Sequence, residues 1–249
     1  MDEKWSFVAK KQKQCDDNAP DDARLGDCWD HVALDAEHRL VLAVVPGKRT
    51  AQNVRTLVQD VKRRTRGRLL NLITTDEYAP YKQAILDAYG QTVTPPRSGK
   101  RGRPRARYHV APPGLRYATV HKTRYKGRVT KIECRVVFGK PAEIEQALAR
   151  SPVSHKINTA FVERHNGTDR HRNARKARKT YRFSKDPDVH EAATYFSMYS
   201  YNFCWPVRTL RQRGPDGKWQ PQTPAMAAGL ASHVWPLAEW VTMPRVQLE

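Results

Sequence analysis

Glu163 lies in the stretch Ile157-Asn158-Thr159-Ala160-Phe161-Val162-Glu163-Arg164-His165-Asn166, which sets one carboxylate beside a cation and near an amide. A basic run follows at once: Arg170, Arg172, Arg175, Lys176, Arg178, Lys179 and Arg182. An acid at the head of a cationic segment suits an enzyme that must hold a divalent metal against a phosphodiester. One carboxylate cannot hold two hard cations, and two partners stand out, Asp2 and Asp76. Phosphoryl transfer by two ions about 3.5–4 Å apart needs such a set of carboxylates. Mg²⁺ takes oxygen ligands and keeps several waters, so three side chains suffice. Asp30 and Asp35 are rival acids. Asp30 is expected at a surface or turn, with a spare ligand role left open.

The elements that must position these acids can be read in order. Residues 2–10 alternate, with Trp5, Phe7 and Ala9 on one side, which predicts a strand with that face buried. Strands follow at 28–34 and at 40–45, the latter stopped by Pro46-Gly47; short turns make the three a meander. Thr50 can cap a helix from Ala51, with Val54, Leu57, Val58 and Val61 on one face and Lys62, Arg63 and Arg64 at its end. The apolar run 69–75 predicts a central strand buried on both faces and ending at Asp76. A second helix is expected at 79–89. Three strands, a helix, a strand and a helix is the order of a ribonuclease H-like α/β fold, in which the fourth strand lies parallel to the first. An active-site cleft at the carboxyl end of parallel strands would then bring Asp2 and Asp76 face to face.

Residues 92–114 break this pattern, with eight Pro and Gly among Lys100, Arg101, Arg103, Arg105 and Arg107. We read an extended basic insertion. Arg101-Gly102-Arg103-Pro104-Arg105 matches the core of an AT-hook, which lays arginines along a narrow minor groove. A basic loop that touches phosphates without reading bases is the simpler account. Residues 117–123 and 129–138 read as a hairpin whose cations line a nucleic-acid groove or guard a solvated edge. A short helix is expected at 141–150, and a long one from about 159 toward 179 with an interruption near Gly167. An aromatic helix at about 189–203 reads as core. The division expected is 1–91 for the first part of the catalytic core, 92–140 for the loop and hairpin, 141–204 for the last core helices, and 205–249 for a tail.

The bulk numbers narrow the partners. The chain has 249 residues and a net charge of +20, with 39% hydrophobic and 28% charged residues. That balance predicts a folded, soluble protein with a polyanionic partner. No long apolar run and no signal segment is visible, so a cytoplasmic, nucleoid-associated location is expected and a membrane is not. Cys15, Cys28, Cys134 and Cys204 are far apart and form no C-x-x-C pair, against a zinc site or a disulfide framework.

Three segments together resemble a known family. They are Asp2-Glu3-Lys4-Trp5-Ser6-Phe7-Val8, Thr74-Thr75-Asp76-Glu77-Tyr78-Ala79-Pro80-Tyr81 and Asn158-Thr159-Ala160-Phe161-Val162-Glu163-Arg164-His165-Asn166. Arg101-Gly102-Arg103-Pro104 and Val120-His121-Lys122-Thr123 add to the likeness. Over residues 2–203 the chain resembles bacterial insertion-sequence DDE transposases of the InsB-like group. The resemblance implies a ribonuclease H-like (retroviral-integrase-like) core, two Mg²⁺ or Mn²⁺ ions, and cut-and-join chemistry on DNA by a homo-oligomer. It implies Asp2, Asp76 and Glu163 as catalytic, metal-holding residues. Arg164 and Asn166 are implied as neighbours that, with the cations at 100–107 and 170–179, hold DNA. Family members usually carry a zinc-binding, helix-turn-helix segment before the first acid, and this chain is expected to lack it. The alternatives are an inactive DNA-binding fragment of a transposase and a nuclease of the same fold.

Overall fold

The computed structural model describes residues 1–16, 18–96 and 105–243. The chain is mixed α/β, with a mixed sheet and helices around it. It forms two compact units, each made of two stretches: Met1–Glu3 with Arg49–Ala160, and Lys4–Lys48 with Phe161–Glu249. The first strand, β1 (Asp2–Val8), crosses from one to the other between Glu3 and Lys4.

In the first unit, α1 (Ala51–Arg64) begins where the Thr50 hydroxyl accepts from the Asn53 amide at 3.2 Å, as expected. Its buried face is Val54, Leu57, Val58 and Val61. It packs on α2 (Pro80–Tyr89), which turns Tyr81, Ala84, Ile85 and Ala88 inward. The strand expected over 69–75 is shorter: β4 is Ile73–Asp76, with Ile73 and Thr75 buried and Leu69 exposed. The apolar run was too long because only alternate residues of β4 face a core. Inside the region read as a plain insertion, β5 (Gln91–Val93) pairs with β6 (Tyr108–Val110). β4 lies parallel to β7 (Tyr117–Tyr125), with Asp76 opposite Val120, and β7 runs antiparallel to β8 (Arg128–Phe138). Lys126 and Gly127, both at positive φ, close that hairpin as a two-residue turn requires. The helix α3 (Pro141–Ala149) follows.

In the second unit, β1, β2 (Gly26–Asp35) and β3 (Leu40–Gly47) form one sheet in that order. β3 continues through Pro46 and Gly47 rather than stopping there. It is an edge strand, where a residue without an N–H is tolerated. The buried side of β1 is Lys4, Ser6 and Val8; Trp5 is exposed, and Ala9 leaves the strand at positive φ. The expected face is therefore reversed, because Lys4 is paired inside with two carboxylates. The helix α4 (Ala160–Arg172) is unbroken at Gly167 and ends well before residue 179. The helix α5 (Pro187–Cys204) packs on β3, and Val32, Val41, Val44, Val162, Met198 and Tyr201 make the core. Asn202 accepts from the Val41 amide and donates to its carbonyl, both at 2.9 Å, so a side chain completes the rim of β3. A two-stranded ladder, β9 (Gln212–Arg213) with β10 (Trp219–Gln220), and short helices α6 (Pro224–Ala227) and α7 (Leu237–Thr242) finish the chain; α6 and α7 pack on α5.

Four charges lie buried in this unit. Asp30 is 0% exposed, where a surface or turn position was expected; its Oδ2 is 2.5 Å from Lys176 Nζ and 3.0 Å from Lys4 Nζ. Lys4 also pairs with Asp169, and Lys176 donates to the Thr194 hydroxyl. Burial alone would raise the Asp30 carboxyl, but Lys176 and Lys4 hold it well below the usual range. Burial pulls Lys176 down against Asp30. We assign the ion pair, since a neutral Lys176 would leave a water-free carboxylate with one cation fewer. His190 Nδ1 meets the Ser184 hydroxyl at 2.8 Å, and His165 Nε2 meets Met198 Sδ at 3.2 Å. Burial first, and for His190 the neighbouring Lys176 next, pushes both imidazoles down to about 4.

Lys176→Met strips Asp30 of one partner and is expected to cost about 3 kcal/mol of stability in urea unfolding. The pH dependence follows from the shifts. Unfolded histidines take up protons near pH 6.5, whereas His165 and His190 do so near 4 when folded. Stability is therefore expected to fall as pH drops from about 6.5 toward 4, and to fall further below about 4, where the unfolded Asp30 carboxyl takes up a proton that the folded one resists. Unfolding midpoints measured across that range check this, and His190→Gln should roughly halve the loss above pH 4.

Candidate functional site

Asp76 ends β4, which runs parallel to β7, so its carboxylate stands at the carboxyl end of the parallel pair β4–β7. The Met1 nitrogen donates to the Thr74 carbonyl at 2.7 Å, which lays the start of β1 beside β4. Asp2 and Asp76 thereby come into one electrostatic neighbourhood. Both act, after burial and Glu3, to raise the Tyr81 phenol, and both act on the Met1 nitrogen.

A third acid, Glu3, lies inside this group. Its side chain is buried, and Arg49 grips Oε2 through Nη2 at 2.9 Å and Nε at 3.2 Å. Arg49 also reaches Asp76 Oδ2 at 3.7 Å and lies 4.1 Å above the Tyr78 ring. The Tyr78 amide donates to Asp76 Oδ1 at 3.2 Å, and the Tyr78 hydroxyl donates to the Arg49 carbonyl at 3.1 Å. Burial raises the half-exposed Asp76 carboxyl, Glu3 raises it further, and the Tyr78 amide and Arg49 only partly offset this.

The next residue opens a second set of contacts. Glu77 Oε2 is 2.6 Å from His121 Nδ1, and Oε1 is 3.2 Å from Arg135. Beneath, the Thr75 and Tyr117 hydroxyls meet at 2.8 Å, and burial pushes the Tyr117 phenol up to about 12. The segment that leads into α4 is fixed on the same two strands. Thr74 Oγ1 donates to the Asn158 carbonyl at 3.1 Å, and Lys122 Nζ donates to Thr159 Oγ1 at 3.2 Å. Asn158 Oδ1 then accepts from the Ala160 amide at 3.1 Å, where α4 starts.

Glu163 belongs to the second unit, exposed in the first turn of α4, where the helix dipole favours a carboxylate. Among the described residues, no group of three or more His, Cys, Asp or Glu side chains is placed to share a metal ion. The cations expected on DNA divide by burial. Arg164, Arg175, Arg178 and Lys179 are exposed, as are Arg105 and Arg107. Arg170 donates to the Trp5 carbonyl at 3.0 Å, and Arg172 stacks 3.8 Å over Trp205. Two expected contacts face inward instead: Asn166 is buried in α4, and Lys176 is 3% exposed against Asp30. A basic run says nothing of which member meets a buried acid. Lys100, Arg101 and Arg103, with most of the AT-hook-like pentad, lie outside the described residues. No described helix is long and apolar enough to cross a membrane.

Glu3, Arg49 and Tyr81 escaped the sequence reading. Glu3 gave one signal, an acid next to Asp2 in a strand, and Arg49 gave none. If Glu3 holds the Asp76 carboxyl up, Glu3→Gln should lower the Asp76 titration midpoint and Arg49→Gln should raise it. Carbon-13 NMR titration of the aspartate carboxyls reads both, and an unmoved Asp76 in Glu3→Gln would contradict the account.

Comparison with protein-family models, with curated proteins and with solved structures gave no match for this chain.

Proposed function

We propose that this chain is the catalytic part of a DDE-type transposase, which cuts DNA at the ends of an insertion element and joins them to a target. The observation that carries the reading is that Asp76 stands at the carboxyl end of the parallel pair β4–β7, with Asp2 in the same electrostatic neighbourhood through the start of β1. A ribonuclease H-like core would place its first two acids in that way. Three further points support it: the resemblance of the three acid-bearing segments, the net charge of +20, and the hold of Thr74 on the segment that starts α4.

The donor set of the first unit suits a hard divalent cation. Asp2 and Asp76 would offer it carboxylate oxygens. The resemblance names Glu163 as the third acid. Bound Mg²⁺ or Mn²⁺ would supply Lewis-acid stabilisation of the attacking and leaving oxygens of a phosphodiester.

The remaining work falls to side chains. Arg49 fixes Glu3 and Asp76, so that the Asp76 oxygens keep their direction as DNA enters. Glu77, braced by His121 and Arg135, keeps β4 and the hairpin in register beside the strand end. Exposed Arg164, Arg175, Arg178 and Lys179 would neutralise phosphates and hold the duplex. A water would open the phosphodiester at the element end and leave a 3′-hydroxyl, and that hydroxyl would then attack the target strand.

Asp76→Asn and Asp2→Asn are each expected to lower Mg²⁺-dependent cleavage and joining of labelled ends by roughly a thousandfold or more. Duplex affinity should change little. Cleavage without joining in the unaltered chain would favour a nuclease. Salt-sensitive binding with no cleavage would mark a DNA-binding fragment.

A further inference from the structure

The hairpin β7–β8 extends far beyond the sheet that carries it. The near half of β7 is buried beside β4, but Thr123, Arg124 and Tyr125 are exposed, as are the first five residues of β8. A bare two-stranded ribbon is marginal in water, so a long one exposed on both faces is in want of a partner. Its composition states what kind. Residues 117–138 hold Lys122, Arg124, Lys126, Arg128, Lys131 and Arg135 against one acid, Glu133, which Lys131 already meets at 3.0 Å. Between these cations stand exposed apolar groups: Tyr125 at 65%, Ile132 at 60% and Val129.

We propose that this ribbon enters the major groove of duplex DNA. The inference rests on the DNA reading above and adds the element that enters and the groove it enters. Strands lie about 4.8 Å apart, so a ribbon with its side chains fits a groove about 12 Å wide and not one about 6 Å wide. From Lys122 to Tyr125 the strand advances about 10 Å, comparable to a groove depth of about 8.5 Å. The major groove of an RNA helix is too narrow for it. Within the DNA groove the arginines and lysines meet phosphates and guanine edges, and Val129 and Ile132 meet thymine methyls, which accounts for apolar groups kept in water. The bulge between Thr123 and Arg124 adds twist where the ribbon must follow the groove. A single ring at the tip, Tyr125, with Lys126 5.4 Å above it, is too little for the row of stacked bases that single strands need.

The test uses the full chain and a duplex of mixed sequence. Arg124→Gln with Arg128→Gln should reduce the slope of log affinity against log salt by about 1.8, and weaken binding at 0.15 M salt at least tenfold. Thermal unfolding should be unchanged, because both residues are exposed. Dimethyl sulfate footprinting should show guanine N7, in the major groove, protected by the unaltered chain and exposed in the double variant. An unchanged slope overturns the inference. So does protection confined to adenine N3 in the minor groove, or a preference for anionic lipid vesicles over duplex DNA. Failure here is separable from failure of the transposase reading. Cleavage that persists with an unchanged slope sinks only the ribbon, and a changed slope without any cleavage sinks only the catalysis.

Discussion

Lys4 pairs with both Asp30 and Asp169, and Lys176 reaches the same Asp30 oxygen, with all four buried. Moving one such ion from water into a protein interior costs several kcal/mol, so none of the four can be buried without the others. They come from β1, β2, α4 and the short turn after α4. A segment that docked one residue out of register would strand a charge. The cluster therefore specifies how the second unit is put together, more than it stabilises it. Ser197 and Thr194 complete it by donating to Asp169 and accepting from Lys176.

That constraint explains which parts of the fold could be read from the residues and which could not. The meander, the Thr50-capped helix, the strand ending at Asp76, the hairpin and the aromatic helix all follow from apolar spacing and turn residues, and they are present. β1 failed on its facing. Hydropathy turned Trp5 and Phe7 inward, whereas ion pairing turned Lys4 inward, and no periodicity rule weighs a lysine against two distant aspartates. Asp30 and Lys176 failed for the same reason: each looks exposed until its partner is known.

At the candidate site the residues singled out acids and not the frame around them. Asp2 and Asp76 lie at strand ends, as chain order suggested. Arg49, which pairs with Glu3 and reaches Asp76, carries no spacing signal, since an arginine just past a strand is ordinary surface. What the residues did record is charge. The excess of cations is spread along the chain, and those of the hairpin tip, Arg124, Lys126, Arg128 and Lys131, sit on exposed positions that cost the fold little.

The Asn202 amide leaves one more mark. β3 is an outer strand of apolar residues, the kind of rim on which a second chain can add itself and begin an aggregate. At Val41 both main-chain groups are already spoken for by a side chain from α5. An incoming strand would find its hydrogen-bond ladder broken at that rung.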